Sequence, residues 1–131
     1  MKKKLCVMLT VLLTIITLTG CTSFFSIGTT VGLTGSQHGT VMNARFTSFN
    51  GARGARFKLE QGDTIRINYS LICEDGSLTL TFEDRDGNIL FTNSEMTGVK
   101  DITVSSSQKY TIRLTAVKAK GSYDLSWTVN P

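Results

Sequence analysis

The chain has 131 residues, with 14 basic and 10 acidic side chains, one histidine and three cysteines. This length suits one domain rather than two. Removing Lys2, Lys3 and Lys4, which lie in a predicted leader, reduces the basic residues to 11 against 10 acidic ones. Such a balance gives no reason to expect nucleic acid as a partner, and so few histidines and cysteines disfavour a zinc site. We expect no cofactor.

The first twenty residues follow the order of a secretory signal peptide. Three lysines come first, an uncharged apolar run occupies residues 5–18, and the small pair Thr19-Gly20 follows it. The apolar run has 14 residues, fewer than the roughly 20 that a membrane-spanning helix needs. We therefore predict a signal peptide over residues 1–20 rather than a permanent transmembrane helix.

The four residues at the end of this leader, Leu18, Thr19, Gly20 and Cys21, resemble the lipobox of bacterial lipoproteins. The resemblance implies that Cys21 receives a diacylglycerol, that residues 1–20 are removed, and that the cysteine becomes the acylated first residue. It places the protein in the bacterial cell envelope, outside the cytoplasm, with membrane lipid as a partner; two or three acyl chains make such an anchor durable. The alternative is a soluble secreted protein with a chance cysteine at its cleavage site.

Residues 21–39 begin with this cysteine and continue as a Gly-, Ser- and Thr-rich segment without Lys, Arg, Asp or Glu. Such a composition predicts a flexible tether between the lipid and the domain. The apolar residues between Phe24 and Leu33 leave two further alternatives open. They would either dip into the membrane interface or form a first strand packed on the domain, since both satisfy apolar side chains.

From residue 40 onward, apolar side chains alternate with polar ones, which is the period of a half-buried strand. Asp75-Gly76 and Asp86-Gly87 separate alternating runs and predict hairpin turns. Because a one-sided apolar face needs a second sheet to cover it, residues 40–131 are predicted to form an all-β domain, a single jelly-roll-like β-sandwich of about eight antiparallel strands. A closed barrel is the alternative. The predicted strands are 41–49, 55–59, 65–71, 78–82, 88–92, 99–104, 110–114 and 123–129.

Several of these segments also resemble a known family. Gln61-Gly62-Asp63 before an alternating run, then Asp86-Gly87-Asn88, then Tyr110–Leu114, and finally Ser122-Tyr123-Asp124 occur in the order seen in bacterial pre-peptidase C-terminal domains. The resemblance covers about residues 57–129 and implies a jelly-roll-like sandwich. In the family this domain usually accompanies a catalytic module, whereas the present chain is more similar to small free-standing bacterial lipoproteins that carry one such domain.

Three arginines, Arg45, Arg53 and Arg56, cluster around Asn50-Gly51 in a predicted loop between two strands. They would be able to contact anionic lipid head groups or cell-wall polymers, because each basic group near such a surface contributes about 1 kcal/mol. The other interpretation is a solvated loop without a ligand.

The oxygen-bearing side chains of Asp84, Asp86 and Asn88 around Gly87 make a weak calcium candidate. Their spacing differs from the twelve-residue calcium loop, and no bidentate glutamate closes it. A solvated hairpin turn is the favoured interpretation, and no metal is assigned.

The remaining reactive or aromatic residues have structural interpretations. Cys73 and Trp127 occupy the inward parity of their strands, where they are predicted to fill the core as a small apolar and a large aromatic group. His38, the one histidine, lies in the predicted tether, so no catalytic set can be assembled around it. We predict that the protein is not an enzyme.

The leading hypothesis for function is a non-catalytic, membrane-anchored surface lipoprotein whose sandwich contacts another envelope protein or a cell-wall polymer. The alternative is a lipoprotein that binds a small ligand or a glycan, because sandwich domains often bind sugars through loops or one open face. A monomer is expected, because the predicted edge strands present Thr, Arg and Lys outward.

Overall fold

A computed structural model of the chain describes residues 22–131. The predicted signal peptide and the lipobox residues Leu18, Thr19, Gly20 and Cys21 lie outside the described residues. From residue 22 onward there is no helix, and therefore none that could cross a membrane. All strand pairings are antiparallel, so the predicted all-β class is confirmed. The strands are β1 (Ser23–Val31), β2 (Thr34–His38), β3 (Val41–Leu59), β4 (Thr64–Glu83), β5 (Ile89–Thr92), β6 (Thr97–Thr103) and β7 (Gln108–Asn130).

Three long strands, β3, β4 and β7, each contribute to both layers of a sandwich. The first layer contains β2, the first half of β3, the second half of β7, the first half of β4, and β6. The second layer contains β1 and β5 and the other halves of the three long strands. Register shifts at Phe46–Gly51 in β3 and at Cys73–Ser77 in β4 mark the bends, because an extra residue on one strand kinks it away from its partner.

The two layers enclose one continuous apolar core. Trp127 of the first layer stacks on Phe57 of the second, with ring centroids 5.5 Å apart and an interplanar angle of 12°. Tyr69 and Phe91 meet across the layers near the opposite edge, at 6.0 Å. Trp127 is 1 % exposed, so its predicted place in the core is confirmed. Because aromatic rings from both layers fill the space between them, the predicted single sandwich is confirmed, with seven strands instead of about eight.

The sheet is not closed into a barrel. Within residues 22–131, β1 and β2 each pair on one side only, with β3, and β5 and β6 pair on one side only, with β4. Strand edges therefore remain on both sides of the sandwich, one of them formed by β1 and β2.

The segment predicted as a flexible tether forms β1 and β2, which corresponds to the alternative of a first strand packed on the domain. The pairing of β1 with β3 runs unbroken from Ser23 opposite Arg56 to Val31 opposite Ser48. Phe24 lies 6.5 Å from Trp127 between ring centroids, and Leu33 packs against the core. These apolar contacts explain the difference, because they favour a strand over a solvated linker. The sandwich therefore begins at Ser23 rather than at residue 40.

Of the two predicted hairpin turns, one is confirmed and one is wrong. Asp86-Gly87 connects β4 to β5, which pair antiparallel. Asp75-Gly76 instead lies inside β4, at its bend, where Gly76 has a φ of 75°. A side chain at Gly76 would collide with the carbonyl oxygen of Lys118. Glycine is required there for the close approach of β7, not for a chain reversal.

Candidate functional site

The three predicted contact arginines lie within β3 and not in a loop. Hydrogen bonding to β7 continues on either side of Asn50-Gly51, so the predicted loop is a bend in one strand. Arg45 points outward from the first layer and Arg56 points outward from the second, and both are exposed. Arg53 is only 8 % exposed. The structure therefore does not bring the three arginines together, and Arg53 is not a surface residue.

Arg53 faces the interior because of its register. It lies directly opposite Leu114 on β7 and opposite Ser26 on β1. Directly opposed residues of an antiparallel pair share a face of the sheet, and Leu114 is fully buried in the core. A charged guanidinium is thus held at a position that a hydrophobic residue would normally occupy.

The buried polar atoms around Arg53 are unsatisfied. Within residues 22–131, Nε and Nη1 of Arg53, Nε2 of Gln37 and the hydroxyl of Tyr123 have no hydrogen-bond partner. No carboxylate pairs with Arg53 in this part of the chain. A buried cation without a partner is costly, since its desolvation is not compensated.

Gln37 and Tyr123 converge on Arg53 from the first layer. Gln37 is inward on β2, opposite Met42, and Tyr123 is inward on β7, opposite Ala44. Burial raises the pKa of Tyr123, while the nearby Arg53 charge and Gln37 amide act in the opposite direction. The Gln37 amide lies close to the phenol without completing a hydrogen bond. We call Arg53, Gln37 and Tyr123 the Arg53 cluster.

The cluster lies beside the edge formed by β1 and β2. Ser26 and Thr30 share the inward parity of β1, since they oppose Arg53 and the buried Phe49, yet both are exposed. The opposing layer therefore does not cover the inner side of β1, and the space between the layers is open at this edge. Ser26 lies directly opposite Arg53, so a hydroxyl group of this edge is next to the Arg53 cluster. The convergent N–H groups suit a ligand rich in acceptors, above all a carboxylate, which arginine can bind through two parallel hydrogen bonds.

Sequence reasoning missed this cluster although one signal was available. The inward parity of the second half of β3 is set by the apolar residues Ala55, Phe57 and Leu59. Arg53 lies two residues before Ala55 and therefore has the same parity. The assignment of a loop there hid the parity. No comparable signal existed for Gln37, because its segment has the composition of a linker.

A second arrangement, on the outer face of the second layer, places two guanidinium groups against one aromatic ring. Phe25 lies across Gly54, with the guanidinium carbons of Arg56 and Arg113 4.4 and 5.4 Å from its ring centroid. Arg113 donates from Nε to Glu83 at 2.9 Å. The ring of Phe25 is thus occupied by guanidinium groups, which leaves it unsuited as a platform for stacking a sugar.

Arg45 lines a surface depression on the outer face of the first layer. This depression has a volume of about 510 Å³ and also includes Asn43, Ser70, Ser122 and Asp124. Its lining also includes Tyr123, so the depression borders the Arg53 cluster from the outer side of the layer. Contact of Arg45 and Arg56 with lipid or wall polymer stays a prediction.

The side chains of Asp84, Asp86 and Asn88 form a hydrogen-bonded turn. The Asp84 carboxylate accepts from the backbone N–H groups of Asp86 and Asn88, both at 2.9 Å, and from the Asn88 side-chain amide at 3.0 Å. These donors lower the pKa of Asp84. In the described range no three His, Cys, Asp or Glu side chains come together as metal ligands. The contacts fit the solvated hairpin turn, and calcium binding stays a prediction.

Cys73 and His38 lie in two different strands, β4 and β2. Cys73 is half-buried and packs against the core at the bend of β4, where its Sγ donates to the carbonyl oxygen of Asp75 at 3.2 Å. The predicted inward position is found, but the burial is incomplete. His38 is the exposed last residue of β2.

No known protein-family profile matches the chain, and no curated protein sequence matches it either. Among solved structures, a carbohydrate-binding module of lichenase 5A from Cellvibrio mixtus, in complex with cellotriose, is 15 % identical with a TM-score of 0.43, covering 79 % of this chain and 90 % of that one. A periplasmic inhibitor of g-type lysozyme from Aeromonas hydrophila is 13 % identical with a TM-score of 0.43, and the match covers 78 % of this chain and 93 % of that one. An accessory secretory protein structure from Streptococcus pneumoniae is 17 % identical with a TM-score of 0.41, and the match covers 81 % of this chain and 92 % of that one. At these values the similarity does not bear on the ligand, partner or activity of this chain.

Proposed function

We propose that the sandwich is a non-catalytic binding module for a small acidic ligand or an acidic glycan, which enters at the edge between β1 and β2. The observation that carries the proposal is the buried guanidinium of Arg53, whose Nε and Nη1 have no acceptor in the described part of the chain. This favours the alternative hypothesis of a ligand-binding or glycan-binding lipoprotein over contact with another envelope protein.

The Arg53 cluster has a higher free energy when it is empty than when an acidic ligand occupies it. Burial of Nε and Nη1 without acceptors is costly, because their desolvation is not compensated, and a domain of this size has little stability to spare. A ligand carboxylate would accept hydrogen bonds from Arg53 and neutralise its charge in a place shielded from water. The amide of Gln37 and the phenol of Tyr123 would add two further hydrogen bonds. The energy lost in the empty state is thus recovered on binding.

The proposed setting is the bacterial cell envelope, with the domain anchored through acylated Cys21. Envelope and wall polymers that contain sugar acids present the carboxylates that the Arg53 cluster suits. Ser26 and Thr30 at the opening are able to bond to sugar hydroxyls, since a hydroxyl both donates and accepts.

The test uses the purified full chain and a matched set of acidic and neutral oligosaccharides, such as oligomers of a uronic acid and of the corresponding neutral sugar. We expect a saturable rise in melting temperature with the acidic set only, and loss of this rise in Arg53→Met. Arg45→Met, an exposed arginine on the same strand, is the control and should bind normally. Equal binding of both sets, or unchanged binding by Arg53→Met, would overturn the proposal.

A further inference from the structure

The start of β1 restricts where a lipid anchor can hold the domain. Ser23, the first residue of β1, is two residues from the predicted lipidation site Cys21. Two extended residues span at most about 7 Å. Since Ser23 lies directly opposite Arg56 on β3, the anchor would emerge beside this end of the second layer.

Basic side chains are concentrated at this end. Lys58 on β3 and Lys109 on β7 lie directly opposite each other, with outward parity shared with Arg56, and all three are exposed. Like charges in directly opposed positions destabilise a sheet. We call Arg56, Lys58 and Lys109 the basic row.

The basic row has little internal compensation. Lys58 has one ion pair, to Glu60 at 3.5 Å, and both side chains are more than half exposed, so the pair contributes little. Arg56 and Lys109 take part in no ion pair found within residues 22–131. The guanidinium of Arg56 is instead held over the ring of Phe25. Two of the three cations of the row, Arg56 and Lys109, therefore have no carboxylate partner in the described part of the chain.

We infer that the basic row rests on the anionic head groups of the membrane that holds the lipid of Cys21. The inference depends on lipidation of Cys21 and is independent of the ligand proposed for Arg53. A membrane is the occupant that the short connection to Cys21 brings to this surface, and its negative charge complements the row. Each basic residue near such a surface strengthens attachment about fivefold.

The experiment compares the reactivity of lysines on vesicles. Full-length protein is expressed in bacteria, purified with its lipid, and reconstituted into vesicles of phosphatidylcholine with or without phosphatidylglycerol. Lysines are then labelled with a water-soluble acylating reagent and quantified by mass spectrometry. Lys118 and Lys120 are internal controls, because they lie about 30 Å from Lys109 along β7.

We expect labelling of Lys58 and Lys109 to fall at least fivefold on the anionic vesicles relative to the neutral ones, with labelling of Lys118 changing less than twofold. High salt should restore the labelling, because it screens the head-group charge. The variant Arg56→Gln with Lys109→Gln should leave Lys58 fully reactive, whereas the charge-matched Lys118→Gln with Lys120→Gln should behave as the parent. Fluorescence of the buried Trp127 verifies that each variant is folded.

Three results would overturn the inference: equal protection of all four lysines, equal protection on neutral vesicles, or a mature protein whose mass lacks acyl chains on Cys21. The vesicle experiment contains no glycan, so a failure of acidic glycans to bind would not change the labelling of the lysines. The two proposals therefore fail separately.

Discussion

Replacing Arg53 with methionine is expected to stabilise the ligand-free protein. The guanidinium is 8 % exposed and lacks acceptors at Nε and Nη1, whereas methionine keeps an unbranched apolar stem and removes the charge. Replacing buried ionic groups with apolar residues of similar volume is often neutral or stabilises a protein by about 1–4 kcal/mol. At this chain length each kcal/mol raises the melting temperature by roughly 4 °C. We therefore expect a rise of several degrees, together with loss of ligand binding.

Urea denaturation and scanning calorimetry at neutral pH measure this change. Arg45→Met, on the outer face of the same strand, is the control, and its free energy of unfolding should change by less than about 0.5 kcal/mol. A gain of stability with a loss of binding is the pattern of a site that is strained when empty. A loss of more than about 1 kcal/mol in Arg53→Met would show that the guanidinium has a structural partner in the folded protein, and the reasoning would then be refuted.

Three further changes test the fold. Trp127→Ala should lower the free energy of unfolding by about 3–5 kcal/mol in urea titrations, because the indole stacks on Phe57 between the layers; a loss below about 1 kcal/mol would contradict that packing. Gly54→Ala should cost about 1–3 kcal/mol by thermal denaturation, because its methyl group would collide with the carbonyl oxygen of Ile112 and with the ring of Phe25; an unchanged melting temperature would argue against this close packing. The lowered pKa of Asp84 means that its contribution to stability is present above the ordinary pKa of 3.8 and is lost as pH falls through the lower folded value. Asp84→Asn should therefore flatten the acid end of the stability profile, and an identical profile would contradict the turn contacts.

The strands that carry a strict alternation could be predicted from the sequence. Ile65, Ile67 and Leu71 were expected on the inner face of one strand, and each is buried in the core. Side chains of a strand alternate between faces as a direct consequence of backbone geometry, so a single sequence contains this information. The same reasoning placed Trp127 inside.

The bends could not be predicted, because they depend on pairing between distant segments. Asp75-Gly76 and Asp86-Gly87 present the same dipeptide between alternating runs. After Asp86-Gly87 the chain reverses and β5 pairs with β4, whereas beyond Asp75-Gly76 the same strand continues along β7. Local composition does not distinguish the two cases. The first two strands were missed for a related reason, since the packing of Phe24 on Trp127 joins residues that are about 100 positions apart in the sequence.

The two proposed surfaces share one strand but can be separated by single substitutions. Arg53 and Arg56 are three residues apart in β3, so the alternation of side chains places the first between the layers and the second on the outer face. Removing the charge at one position leaves the contacts of the other in place, and their effects should add. An acidic ligand would therefore bind equally well to Arg56→Gln, and the membrane would protect Lys109 equally well in Arg53→Met. If either substitution impaired both properties, the ligand and the membrane would have to meet the same face of the sheet, and the inward register of Arg53 would be wrong.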